Sequence, residues 1–407
     1  MAAIPWILTA VLWTPLAFAG GLGFAPLIGV VGLWGVFLKK EWSIRPYMAI
    51  LLIALVFASV SSLWSPYKTP IMEIDVAEGV FNVKAAVVRI GLVALFAAFA
   101  IAAAYRLAPH RARWISYLFI GAFLLQFIAY FATANFTMEI YEVFKGYVSD
   151  HGSAYQDAAR NGVILCVVAI IVAGFLKSAR KTLGIFRHVA AASVCISCIL
   201  LLGKLSNSAG VVAMSAGFVA LYIPNVIRRN TFIVLSQFSA LLVLLAPLLC
   251  GVFIHILGDR KYELAPSFLW RVEAWDEVIS KISQKPLFGW GLDALRTFDA
   301  TFTTGRWEGE LIVPMHAHNM FLHLWAECGY LGAVLVALAL VLVGRRLSRA
   351  VGSCSPGALS AACGLWIVCL TICSFSFSLW NVWWWAVVGL AIAILIILDI
   401  GWREVEL

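Results

Sequence analysis

Residues 231–257 read TFIVLSQFSALLVLLAPLLCGVFIHIL, a run with no lysine, arginine, aspartate or glutamate. At about 1.5 Å of rise per residue, a helix of this length crosses a hydrocarbon core about 30 Å thick. Similar apolar runs recur near 4–20, 22–38, 47–64, 86–105, 114–133, 162–177, 189–203, 211–227, 318–344, 356–374 and 382–400. The pattern predicts an all-α polytopic membrane protein of about twelve spans, with residues 1–407 forming one integral membrane domain. Barrel strands would instead alternate apolar and polar residues over segments of about ten.

Composition agrees with that reading. The chain is 63% hydrophobic and 12% charged, against about half and about a quarter in soluble domains. The first run, Ile4 to Ala19, has no basic residue before it and no small-residue cleavage site after it, so it is expected to remain as a membrane helix. All nine cysteines lie in or beside apolar runs, which argues against a disulfide framework, and Cys195-x-x-Cys198 reads as a pair of small packing residues.

The connections between runs alternate in basic content. One set holds Lys39, Lys40, Arg45, Arg106, Arg111, Arg113, Lys177, Arg180, Lys181, Arg187, Arg228, Arg229, Arg345, Arg346 and Arg349, with Arg403 in the tail. The short connections of the other set hold only Lys68, Lys84, Lys145, Arg160 and Lys204. The positive-inside rule therefore predicts cytoplasmic termini, an even number of spans, and an outer face built from segments near 65–85, 134–161 and 259–316. The net charge of +8 is mostly this bias and contact with membrane lipid; no basic run is interleaved with exposed aromatics, so nucleic acid is not an expected partner.

The large loop, 259–316, between spans nine and ten, carries most of the outward polar mass. Within it, Leu269, Val272, Trp275, Ile279 and Ile282 follow helical spacing, so an amphipathic helix is expected, with Ser267 as N-cap after Pro266. Arg271 falls in its first turn, where a cation gains nothing from the helix dipole. Lys84 and Arg89 at the mouth of the fourth span, and Arg160 at that of the sixth, are costly to bury without an anionic partner. Snorkelling to headgroups explains each alone; their presence on one face favours a shared anion site.

Where the loop re-enters the membrane, the chain reads His316-Ala317-His318-Asn319, then His323 and Glu327. His323 and Glu327 are four residues apart, and the reading favoured for them is mutual satisfaction inside the bundle rather than metal binding; no metal is expected. His318, at the water boundary, could accept a proton from a substrate hydroxyl.

His318-Asn319, nine residues, then Gly329-Tyr330-Leu331-Gly332 resembles the histidine motif of O-antigen ligases. Arg271 through Trp275, followed by Lys285-Pro286-Leu287-Phe288-Gly289-Trp290-Gly291, is similar to the arginine, tryptophan and P-x-x-G-x-G signature of the wider ligase and polymerase superfamily. The resemblance implies a GT-C-like glycosyltransferase in a Gram-negative inner membrane with a periplasmic active site and no cofactor. Its donor would be a polysaccharide on undecaprenyl pyrophosphate and its acceptor a sugar hydroxyl of lipid A-core, joined with inversion and without metal. His318 and Arg271 would be catalytic; Lys84, Arg89, Arg160 and Arg271 would bind pyrophosphate; His316, Asn319, Trp275, Gly329 and Gly332 would support them. One departure is the family's Ser-Arg pair near span eight, where this chain reads Leu205-Ser206-Asn207-Ser208-Ala209-Gly210 and leaves Lys204, Arg160 and Arg89 as alternative phosphate contacts.

Rival readings are an O-antigen polymerase, a protein O-oligosaccharyltransferase, which commonly has a further C-terminal domain, and, in another class, a lipid-linked sugar transporter. A transporter would be expected to carry polar sites along its midplane spans.

Overall fold

The computed structural model describes residues 2–38, 46–68, 72–75, 80–83, 85–145, 151–303 and 305–406. Lys84, Lys39, Lys40 and Arg45 lie outside them. Among the described residues, the regular elements are helices and one antiparallel hairpin. In order come α1 (Ile4–Phe18), α2 (Phe24–Leu38), α3 (Pro46–Val60), β1 (Met72–Asp75), β2 (Val80–Val83), α4 (Ala86–Ala104), α5 (Pro109–Asn135), α6 (Thr137–Lys145), α7 (His151–Ser178) and α8 (Arg180–Leu183). Then follow α9 (Arg187–Lys204), α10 (Ser208–Ala220), α11 (Ile223–Ile227), α12 (Thr231–Leu257), α13 (Pro266–Gln284), α14 (Met320–Ala350), α15 (Pro356–Phe375) and α16 (Val382–Glu406).

Among the described residues, nine helical stretches are long and apolar enough to cross a membrane. One of these, Ser208–Glu263, takes in α10 to α12, and two further apolar helices, Ile4–Phe18 and Phe24–Phe37, are shorter. Three details depart from expectation. The run 211–227 is divided, because the chain turns at Leu221 and Tyr222 between α10 and α11. The hairpin pairs Met72 with Val83 and Asp75 with Val80; Met72-Glu73-Ile74-Asp75 does alternate apolar and polar residues, but over only four positions. Ser267 is not the cap of α13: Ala265 is, and Pro266 takes the first helical position, where its missing N–H costs nothing.

The apolar windows of α7 and α16 are mostly buried, whereas α3 leaves most of its surface outward, the division expected between core and lipid-facing helices. Small residues let backbones touch: Gly32 of α2 abuts Phe96 of α4, Gly174 of α7 abuts Ala361 of α15, and Gly344 of α14 abuts Ser236 and the Phe232 carbonyl of α12. Buried polar groups are tied to each other. Trp13 Nε1 donates to Gln126 Oε1 (2.9 Å), and Gln126 Nε2 to Asn161 Oδ1 (2.9 Å). Lys177 spends its three protons on the Leu221 carbonyl, Asn225 and Ser360.

The loop between α12 and α14 is not a separate body. Its helix α13 buries Val272, Ala274, Trp275, Val278 and Ile282, and the last four join Ala246 of α12 and Leu322 and Ala326 of α14 in one apolar cluster. The face seen as amphipathic in sequence therefore seals against one end of the α12–α14 pair.

Candidate functional site

The site begins with a break in α14. Gly329 has φ 61° and ψ −164° inside that helix, a conformation almost confined to glycine. In an uninterrupted helix Tyr330 N–H would bond the Ala326 carbonyl, and Leu331 N–H that of Glu327. Here Trp290 N–H takes the Ala326 carbonyl (2.7 Å) and Gly291 N–H the Glu327 carbonyl (2.9 Å). Tyr330 and Leu331 turn instead to the carbonyls of Pro286 (2.8 Å) and Leu287 (3.2 Å). The segment 286–291 is thus spliced into the helix, bond for bond. A Cβ at Gly289 would collide with the Glu327 carbonyl, and one at Gly329 with that of Leu287. The two glycine motifs are two halves of one joint. Gly332 abuts the Cys328 side chain where the helix resumes.

Just before α14, Asn319 caps the helix: its Oδ1 accepts from Phe321 N–H (2.9 Å) and Leu322 N–H (3.1 Å). That occupies the amide oxygen and makes Asn319 a positioning residue. His318 has φ 52°, an uncommon left-handed conformation for a side chain without glycine's freedom. Its Nδ1 lies 3.0 Å from the Ser376 carbonyl. A carbonyl only accepts, so Nδ1 carries the proton and Nε2 keeps its lone pair. His318 N–H donates to His316 Nδ1 (3.2 Å), and the two rings meet edge to face at 4.3 Å. Two tryptophans of α13 hold this strand from outside: Trp270 Nε1 donates to Ile312 O and Trp275 Nε1 to Ala317 O, both at 2.9 Å.

Arg271 projects from the same helix. Its Nη1 donates to Ser267 O (2.7 Å), while its Nε is enclosed and has no partner. Burial lowers its pKa from the usual arginine range, which leaves the guanidinium charged at any ordinary pH. Burial, and then the charge of Arg271, bring the His318 pKa down to about 4, against the opposing effect of the Ser376 bond. His316 is pushed well below its ordinary value by burial, with His318, His323, Arg271 and Arg296 adding to the effect. Both imidazoles are neutral at pH 7.

Arg296 was not marked by the sequence. Its charge reaches His316, its Nε lies 3.4 Å from Asp293 Oδ1, and its guanidinium carbon sits 5.7 Å from the Tyr67 ring centre. The turn that carries it is pinned to the chain just beyond α3, where Ser65 Oγ donates to Leu292 O (2.7 Å). Only its nearness to the G-x-G turn, five residues on from Gly291, could have drawn notice.

Beneath the histidines, His323 Nε2 lies 3.0 Å from Glu327 Oε1, both buried. Neither of these atoms has an aligned hydrogen bond, so the pairing expected from sequence is close but incomplete. Glu327 Oε2 accepts instead from Trp380 Nε1 at 2.7 Å. Trp380 belongs to the turn between α15 and α16 that also supplies the Ser376 carbonyl, so Glu327 holds the group that orients His318.

The structure does not bring every expected residue here. Arg160 pairs with Asp157 (3.2 Å) on α7, and Arg89 is exposed in the first turn of α4. Among the described residues, no contact joins either to His316 or His318. Lys204 donates to Asn135 Oδ1.

Comparison with known proteins bears on the same stretch. A family model described as O-antigen ligase matches residues 191–337, from α9 into α14 and across the joint. A Rickettsia typhi protein named "Putative polysaccharide ligase" is 26% identical over 270 residues, 65% of this chain and 62% of that relative. A relative of the same name from Rickettsia felis is 25% identical over 272 residues, again 65% and 62%. The matched stretch thus spans about 62% of the length of these relatives. The joined glycine motifs and the histidine turn both fall inside the matched region, so the likeness of this polytopic membrane protein to the O-antigen ligase type is carried by the residues that build the site.

Proposed function

We propose that this protein is an O-antigen ligase. It transfers a polysaccharide from undecaprenyl pyrophosphate to a sugar hydroxyl of lipid A-core, on the periplasmic side of a Gram-negative inner membrane. In this reading the chain makes twelve spans of GT-C-like architecture with both termini cytoplasmic, and residues 259–316 form the periplasmic loop. The observation that carries the reading is the pairing of a neutral imidazole, its Nε2 left as an acceptor by the Nδ1 bond to Ser376, with the guanidinium of Arg271, whose Nε is enclosed and without a partner.

The acceptor hydroxyl gives its proton to His318 Nε2 as its oxygen bonds the anomeric carbon of the donor. The bond from that carbon to the pyrophosphate oxygen breaks on the opposite face, inverting the centre, and the electron pair leaves with the pyrophosphate. Arg271 and Arg296 stabilise that growing charge through permanently protonated donors, the role a metal ion plays elsewhere. An imidazole with a pKa near 4 is a poor base alone. A bound pyrophosphate offsets the Arg271 charge that helps depress it, so substrate binding raises the basicity of His318 when it is needed. General-base help of this kind is worth about 10²–10⁴ in rate.

The break in α14 could suggest a transporter, since discontinuous spans hold ions in many of them. The freed carbonyls of Ala326 and Glu327 are already taken by Trp290 and Gly291, which weighs against an ion site there.

The test is in vitro transfer in excess chelator, with undecaprenyl pyrophosphate-linked O-antigen and lipid A-core. Wild type should give a ladder on lipid A-core, and His318→Ala and Arg271→Ala should lower the rate at least about a hundredfold while keeping normal elution from size exclusion. A donor that grows longer while lipid A-core stays bare would instead mark a polymerase.

A further inference from the structure

A second charged cavity lies at the other end of the α12–α14 pair. It has a volume of about 630 Å³ and is lined by Arg228, Arg229, Ile233, Arg345, Ser348 and Arg349, among others. Ile233 at this end and Cys250, which touches Asn319 at the histidine end, are 17 residues apart on α12, about 25 Å along a helix. The cavity is therefore not part of the site described above.

We propose that this cavity binds a phosphate-bearing anion, the headgroup of an acidic phospholipid or a free phosphate. Four guanidiniums, two at the start of α12 and two on the last turns of α14, surround one space. Among the described residues, none of the four has a carboxylate partner. Bringing four like charges around a cavity is unfavourable unless a counter-anion joins them, and guanidinium forks match phosphate oxygens in geometry and charge. The Ser348 hydroxyl, on the lining, is shielded from solvent and has no hydrogen-bond partner, so a donor is available beside the arginines. Simple positive-inside bias places arginines near helix ends but does not require them to face one cavity. The site sits where two apolar helices end, with Ile233 and Val351 on its wall, which favours a lipid headgroup whose chains lie along those helices.

The experiment uses the full-length protein, stripped of lipid in a neutral detergent, and follows its thermal midpoint during titration with phosphatidylglycerol, phosphatidylcholine or inorganic phosphate. Phosphatidylglycerol should raise the midpoint of wild type and of Arg180→Gln, a basic-site control. In Arg349→Gln and in the double variant Arg228→Gln/Arg345→Gln, half-saturation should need at least about tenfold more lipid. Phosphatidylcholine should do little. Stabilisation by inorganic phosphate alone, lost in the same variants, would retain the site and identify the ligand as a soluble phosphate. Equal shifts in wild type and both cavity variants, equal shifts with phosphatidylcholine, or none with any probe would overturn the proposal.

Discussion

His318 owes its chemistry to groups that are not themselves reactive. Its tautomer is set by the Ser376 carbonyl, which sits on a turn held by the Trp380 to Glu327 hydrogen bond. Replacing Trp380 by Phe leaves a buried carboxylate oxygen unpaired, at a cost of about 1–3 kcal/mol, and frees the turn. Turnover should fall more than the Michaelis constant rises; an unchanged kcat in steady-state transfer would refute the orienting role. The depressed His318 pKa also makes a stability prediction. Between pH 6.5 and about 4 the unfolded chain binds a proton that the folded site refuses, so folding stability should decline as pH falls through that window and level off below it. Chemical unfolding in detergent should show a weaker decline for His318→Asn, which cannot titrate. At this scale the sequence exposed His318 and Arg271, because their residue types and positions suit an anion site. It could not expose Ser376, which contributes only its backbone, nor Arg296, an arginine in a polar loop with no local pattern. Arg89 and Arg160 were assigned by membrane side alone, and sharing a side does not imply sharing a pocket.

Among the elements, α14 is the one whose form could not be read from composition. No proline interrupts its run, and the Gly329 motif resembles a family without announcing a break in the helix; the partners that replace the lost hydrogen bonds lie about forty residues upstream. The motif residues Gly289 and Gly329 are therefore best understood together. Gly329→Ala must adopt a conformation that costs about 1–3 kcal/mol and also collides with the Leu287 carbonyl. We expect a lower melting temperature and loss of transfer, whereas Gly251→Ala, on the open face of α12 with no neighbour near its Cβ position, should do neither. Helix α13 was legible for the opposite reason. Its apolar spacing is local, and only the partner of its buried face, the α12–α14 pair, had to come from the structure.

Across the whole molecule the helical layout follows from one strong signal, the length of an apolar run, which lipid makes nearly sufficient for a helix. The charge alternation is equally global and predicts the sidedness on which the proposed reaction depends. What no global signal could supply is how the long connection closes on itself. Because the residues at 286–291 are bonded directly to those at 326–331, the intervening chain is a closed loop whose stem is rigid and whose tip, around Gly305 to Gly309, is open to solvent. Such a loop can change length at its tip without disturbing the stem, since extra residues there add only a slowly growing closure entropy. Inserting four Gly/Ser residues after Gly305 should leave the melting temperature within about 2 °C; a collapse in stability would refute it. The joint in α14 is thus a clasp that keeps Arg296 and His318 on one closed stretch of chain, whatever the length of the tip between them.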